Sequence, residues 1–285
     1  MLIDNAKLDQ PFEQALERLY YELRPDFRAA LAALPADGPA AFAIRQLQEN
    51  ARIAGASRAP LCQDTGYIWA LLELAPGDTL AGGAMSGFDA IAGRVYTERG
   101  LRKSLLRDAL VERDNTGDNT PVMGEVHLLK DLAVHSKLHV MLKGGGSDNA
   151  SRLTMLAPGA GTEGVVAEVV DAVRAKAANA CPPLLVGVGV GATFDKVAGL
   201  AKHALLRPVD QANPDPRVAA IEADMLKRVN DLGIGPGGFG GGPTALAVHI
   251  ETAPCHIAAL PLAVNLGCSA MRSTTIDLAT GEVLL

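Results

Sequence analysis

Residues 182–200 read PPLLVGVGVGATFDKVAGL, and the reading of this passage decides the fold class. The apolar run at 182–191 is bounded by prolines and glycine, the pattern of a buried strand, and helical spacing follows over about 193–206. A glycine-rich strand opening into a helix is also how a dinucleotide-binding unit begins. That unit needs G-x-G-x-x-G and an acidic residue about 20 positions on. Here the spacing is G-x-G-x-G, and no acidic residue follows in the right strand context. The glycines therefore read as tight packing of strand against helix. No glycine cluster closes on G-K-[ST], so a phosphate-binding loop is excluded as well.

Outward from this passage the pattern stays mixed. Toward the C-terminus a helix is expected over about 215–231, then the glycine-rich 233–243, then strands at TALAVHIET (244–252), AALPLAVNLG (258–267) and STTIDL (273–278). Toward the N-terminus, helices are expected over 12–24 and 27–34, with Pro25 separating them, and over about 38–55. YIWALLEL (67–74) reads as a strand, 86–112 as a helix ending in LRKSLLRDALVERDN, and HSKLHVMLK (135–143) as a strand. Residues 162–179 place five valines, from Val165 to Val173, on one helical face. No internal repeat is visible. The sum is α+β: a helical N-terminal half followed by mixed sheet and helices. One domain is expected over 1–285, with a helical part over about 1–58 packed on a mixed α/β part.

Composition narrows the function. Hydrophobic residues make up 48% and charged residues 20%, as in ordinary globular chains. The net charge of −6 and the 4% aromatic content offer neither a basic stripe nor stacking platforms, so no nucleic-acid partner is expected. No run approaches the roughly 20 apolar residues of a membrane span, and the N-terminus lacks the pattern of a signal peptide. The expected compartment is the cytoplasm. In that reducing setting Cys62, Cys181, Cys255 and Cys268 are thiols, ligands or nucleophiles rather than a disulfide framework.

Cys62 lies in APLCQDTGY (59–67), Cys181 before Pro182-Pro183, and Cys268 between Gly267 and Ser269-Ala270. Each adjoins turn-formers or small residues, where side chains can converge. An iron–sulfur cube held by three thiolates instead of four leaves one iron open to substrate. The long spacings carry no local metal signature, so buried thiols and a shared metal both stay open on these grounds. LKGGGSDNAS (142–151) is either an anion-binding nest of backbone N–H groups or a structural loop.

PLCQDTG, KGGGSDN, CPPLLVGVGVG, LGIGPGGFGGGPTALAVHI and APCHIAALPLAVNLGC occur in this order. Together they closely resemble the alpha subunit, or N-terminal domain, of iron–sulfur hydro-lyases of the class I fumarate hydratase and L(+)-tartrate dehydratase type. The resemblance spans essentially the whole chain. It implies a [4Fe–4S] cluster held by Cys62, Cys181 and Cys268, with one iron not ligated by protein. It implies reversible dehydration of a 2-hydroxy dicarboxylic acid, malate to fumarate first and tartrate to oxaloacetate next.

The resemblance also assigns roles. Gln63 would hydrogen-bond the substrate, and Asp64, coupled to His256, would manage protons at the hydroxyl. Arg102 would grip a carboxylate, and Gly145 would offer it a backbone N–H. Cys255 falls outside the pattern and is expected as a buried thiol. His127, His135, His139, His203 and His249 have no match and are expected at the surface or in the core. One departure is Asp148, where family members commonly carry Glu.

Single-chain members continue into a C-terminal domain with further basic residues and the base, so a beta subunit is expected as partner. The active site would form with that subunit, in a dimer of heterodimers. Two rival readings stand beside this one: a regulatory or assembly subunit without chemistry, and a zinc-dependent lyase using Cys and His256.

Overall fold

The computed structural model describes residues 1–35 and 37–284. In chain order the elements begin with β1 (Leu2–Ile3), α1 (Asn5–Leu19), α2 (Pro25–Ala32), α3 (Ala41–Ser57), β2 (Tyr67–Leu74), β3 (Thr79–Leu80) and α4 (Phe88–Glu98). Next come β4 (Met123–Leu128), β5 (Lys137–Lys143), α5 (Gly145–Asp148), β6 (Arg152–Leu156), α6 (Gly161–Lys176) and β7 (Leu184–Gly191). The last are α7 (Val197–Ala204), α8 (Pro216–Asn230), β8 (Ala245–Ala253), β9 (Leu260–Gly267) and β10 (Ser273–Asp277). The α+β class holds. Two compact units divide the chain: 1–24, 51–145 and 272–285 form the first, 25–50 and 146–271 the second.

The first unit is built on the sheet β10-β5-β2-β4, in which β2 and β4 are parallel and the other neighbours antiparallel. Period-2 alternation puts Ile68, Ala70 and Leu72 of β2 beside Leu138, Val140 and Leu142 of β5 on one face. Helices α1 and α4 contribute Phe12, Leu16, Phe88 and Val95 to the same core, and the Phe12 and Phe88 rings stack at 3.9 Å. Each such side chain, fully buried, contributes about 1.5–3 kcal/mol.

The second unit repeats the plan. Its sheet is β6-β9-β7-β8, with β7 and β8 parallel and the other pairs antiparallel. The valine face of α6 and Met225 and Val229 of α8 cover one side, and α7 packs against β7 and β9. A Cβ on Gly187 would lie 2.2 Å from the Ala201 carbonyl oxygen, and one on Gly189 2.4 Å from that of Val197. Those glycines exist to let α7 touch the strand, which is the packing reading of the sequence.

The two sheets share one connectivity that sequence inspection missed. In each, a central strand (β2, β7) leads by helix to a parallel neighbour (β4, β8) and then to an antiparallel one (β5, β9). The strand that follows is exchanged: β6, after β5, joins β9, and β10, after β9, joins β5. The repeat is one of topology, without matching residues.

Several boundaries differ from expectation. Helix α1 starts at Asn5, where the Asp4 side chain accepts the Lys7 N–H, and it continues through Pro11 to end at Leu19, not at 24. Pro25 does not separate two helices but begins α2, the position where its missing N–H costs nothing. The helix expected over 86–112 stops at Glu98, before Gly100 at φ +60°. Beyond it side chains compete for the backbone: Asp108 accepts the N–H groups of Leu110, Val111 and Glu112. Strands β4 and β6 were not anticipated.

Candidate functional site

In the first unit the turn 62–66 runs into β2. Gly66 has φ +79°, and a Cβ there would sit 2.7 Å from the Lys143 carbonyl oxygen, so the turn closes against the end of β5 only with glycine. The Asp64 carboxylate is held on both oxygens: Oδ1 accepts the Gly66 N–H at 3.0 Å and Oδ2 the Gly145 N–H at 2.8 Å. One N–H of the glycine loop thus meets a carboxylate, and that carboxylate belongs to the chain itself. Gln63 is exposed, and the Cys62 Sγ–H points to its Oε1 at 3.4 Å.

Three successive carbonyls of this turn are met by side chains the sequence did not single out. Arg272, 1% exposed, donates Nη2 to Asp64 O at 2.9 Å and Nη1 to Thr65 O at 3.3 Å. The Gly66 oxygen accepts the Tyr96 hydroxyl at 2.7 Å and Asn119 Nδ2 at 3.0 Å. Burial pushes the Tyr96 hydroxyl above its usual pKa, which keeps it a donor. Asn119 Oδ1 in turn accepts the Ser104 and Leu105 N–H groups, and Thr65 Oγ1 donates to Arg102 O at 2.5 Å. The main chain at Arg102 is therefore tied to the turn that carries Asp64, while its side chain is exposed.

In the second unit Cys181 takes the left-handed conformation, φ 56° and ψ 68°, unusual for a residue with a Cβ. Its carbonyl accepts the Ser269 N–H at 2.9 Å, which brings the backbone of Cys181 beside that of Cys268. Pro182 O accepts the Gly237 N–H at 2.9 Å, so the 233–243 glycine segment braces the same turn. Asp148 accepts Asn265 Nδ2 at 3.1 Å, and Asn265 also donates to Ser151.

His256 lies on the exposed connection between β8 and β9. Its Nδ1 accepts the Ala258 N–H at 3.1 Å, so in the neutral ring the proton sits on Nε2. Cys255 is exposed, not buried as expected; its Sγ–H donates to Ala259 O at 3.3 Å. A short solvent-facing turn leaves no core for it to enter. Among the other histidines, His139 and His249 are buried, while His127 and His135 are exposed.

None of the four cysteines, all among the described residues, is in a disulfide. Cys62 belongs to the first unit and Cys181 and Cys268 to the second. The donor set of three thiols suits iron–sulfur ligation. No helix among the described residues is long and apolar enough to cross a membrane.

Residues 9–277 match the family model described as Fumarate hydratase (Fumerase). The chain is 34% identical over 234 residues to "Putative L(+)-tartrate dehydratase subunit alpha" of Methanocaldococcus jannaschii, covering 80% of this chain and 81% of that one. It is also 34% identical over 220 residues to L(+)-tartrate dehydratase subunit alpha of Escherichia coli K12, covering 76% and 72%.

Proposed function

The chain belongs to the fumarate hydratase family of hydro-lyases, and on that premise we propose that it is the alpha subunit of a [4Fe–4S]-dependent enzyme that reversibly dehydrates malate to fumarate. Tartrate, dehydrated to oxaloacetate, is the second candidate, favoured by the names of the relatives. The observation that carries the reading is the doubly held Asp64 carboxylate, two residues from Cys62.

Cys62, Cys181 and Cys268 would hold the cluster, leaving one iron without a protein ligand; when bound, it supplies a Lewis acid for the hydroxyl and one carboxylate of the substrate. This chain's residues do the rest. Gln63, exposed beside Cys62, hydrogen-bonds the substrate. Hydroxide is a poor leaving group, so a proton must reach the departing oxygen. Asp64 delivers it, its orientation fixed by Gly66 and Gly145, and His256, with its proton on Nε2, exchanges protons with Asp64. Arg102 grips a substrate carboxylate, an interaction strongest when bidentate. The Gly145 N–H acts through Asp64, whose Oδ2 it holds at 2.8 Å.

The proton removed from the carbon beside the second carboxylate goes to a base on the beta subunit, the partner we propose. The complex would be a dimer of these heterodimers, in the cytoplasm. The test is co-expression with a beta subunit under anaerobic conditions, iron analysis, and assay of malate, tartrate and methylated analogues. Turnover of one of them with iron bound supports the reading; full iron occupancy with no turnover of any overturns it.

A further inference from the structure

Four strands stand at the edges of the two four-stranded sheets: β10 and β4 in the first unit, β6 and β8 in the second. The chain's own C-terminal segment covers β10, where Leu284 donates its N–H to Thr275 O and the Asp277 N–H meets Glu282 O. Most residues of β6 and β8 are buried or half-buried. Of the four, β4 alone is exposed at every residue. Its sequence, MGEVHL, contains neither the proline nor the lysine that commonly blunts an open edge. Such an edge is a template for a further strand.

The direction of its backbone groups follows from one bond. Leu129 donates its N–H to Leu74 O at 2.9 Å, on the β2 side. Backbone groups of successive strand residues alternate in direction, so those of Gly124, Val126 and Leu128 turn to the open edge. Val126 and Leu128 pair with Leu72 and Leu74 of β2 and share their face. Leu72 and Leu74 belong to the core of this unit, yet Val126 is 42% and Leu128 75% exposed. The core face therefore runs out past its last strand. On the opposite face Glu125 accepts the Trp69 Nε1–H at 3.1 Å, and its other oxygen lies 3.4 Å from His127 Nε2.

This strand is complementary to itself. In an antiparallel pair of two copies centred on Val126, Glu125 of each copy stands opposite His127 of the other. Val126 meets Val126, and their outward N–H and C=O groups exchange two hydrogen bonds. Leu128 faces Gly124, which has no side chain to obstruct it. Sliding one copy by two residues would set Glu125 against Glu125 or His127 against His127, and like groups directly opposite are unfavourable.

We infer that β4 is the surface through which two copies of this chain pair, antiparallel and centred on Val126, joining two four-stranded sheets into one. The contact is reciprocal, as a two-fold interface requires. It deepens the proposed pairing of heterodimers and rests on that part of the reading, not on the chemistry.

The test is the mass, by sedimentation velocity, of the full chain and of its complex with the beta subunit. Wild type is compared with His127→Glu and with Glu125→Lys combined with His127→Lys. In a pair of identical copies each variant sets like charges opposite one another, and an equimolar mixture of the two restores opposite charges at both places. Positions 125 and 127 are exposed, so the substitutions leave the core intact. Wild type is expected to carry two copies of the chain in both preparations. Each variant alone is expected to dissociate at about tenfold higher concentration, and the mixture to recover the wild-type mass. Variants that keep the wild-type mass, or a mixture no tighter than its components, would overturn the inference. Loss of the beta subunit instead of the second copy would assign β4 to the beta subunit and overturn it as well. A wild-type complex with one copy of each chain removes the pairing of heterodimers together with this inference, whereas two of each, unaffected by the variants, removes this inference alone.

Discussion

The guanidinium of Arg272 lies under the main chain of Asp64, with Nη2 2.9 Å from its carbonyl oxygen. Arg272 is buried, and its guanidinium donates to the backbone oxygens of Asp64 and Thr65. Removing it strands the Asp64 oxygen, at about 1–3 kcal/mol for a buried acceptor left unpaired, and leaves the Thr65 oxygen only the 3.5 Å bond from the Tyr96 hydroxyl. Arg272→Met should therefore lower the denaturation midpoint of the chain and speed amide exchange at Gly66 and Gly145. Arg272→Lys should recover part of the stability, since one ammonium can satisfy only part of a planar fork's geometry. Unchanged exchange at both glycines in the methionine variant would show that the turn does not depend on the guanidinium.

Asp64→Asn keeps the size of the side chain and an acceptor oxygen but cannot deliver a proton. In the complex with the beta subunit, kcat should fall by about 10²–10⁴. Iron content should stay at the wild-type level, because Cys62 remains. Iron lost in parallel with activity would mean that Asp64 shapes the metal site rather than handling protons.

How far the sequence exposed this arrangement depends on which signal each element carries. Strand β2 was legible to the residue, because its apolar run is bounded by Gly66 and Pro76, and α6 because its valines keep one face. Strand β4 was hidden: it lies at a sheet edge with every residue exposed, so burial imposes no alternation on it. The helix expected over 86–112 failed beyond Glu98 because Leu110 and Val111, 86% and 77% exposed, bury no face and Asp108 takes the amides. Among the candidate site residues, the cysteines and Asp64 were singled out through motifs. Arg272, Tyr96 and Asn119 act through backbone carbonyls far away in sequence, and nothing local announces such contacts. The buried environment expected for Cys255 was wrong because an apolar-looking segment, APCHIAA, turns out to be a surface turn.

Glycines with opposite surroundings give a paired test of the strand–helix packing. Gly187→Ala forces a Cβ to within 2.2 Å of the Ala201 carbonyl oxygen, a backbone atom of α7. Such overpacking should cost about 3 kcal/mol. At Gly199, inside α7, a Cβ would meet nothing within 4 Å, and Gly199→Ala should stabilise the helix by about 0.5–1 kcal/mol. Urea midpoints of the two variants should move in opposite directions; a common direction would contradict the close approach of α7 to β7.

Asp215 caps α8, accepting the Arg217 N–H at 2.9 Å and pairing with its guanidinium. The Arg217 side-chain bonds hold its carboxyl down to about 2. Because the folded pKa is depressed, the stabilisation is present above the unfolded carboxylate value near 3.9 and is lost as pH falls through the folded one. Asp215→Ala should be less stable than wild type at pH 6. The difference should shrink between about pH 4 and pH 2 and vanish below. Urea titrations of both proteins across that range are the check, and a gap that stays constant with pH would remove the charge from the account of this cap.

The four cysteines divide by position in the repeat rather than by burial. Cys255 is as exposed as Cys181, so exposure alone would make it an equally good ligand. It lies on the β8–β9 connection, outside both the turns before the central strands and the exits from the antiparallel ones. Cys255→Ser should keep iron and turnover in the complex. Cys62→Ser, Cys181→Ser and Cys268→Ser should each lose most of the bound iron, with metal affinity down by about tenfold or more, since serine oxygen is a harder donor than thiolate. Iron and sulfide per chain after anaerobic gel filtration distinguish the two groups. Loss of iron from the Cys255 variant, with retention in any one of the other three, would assign the ligands differently.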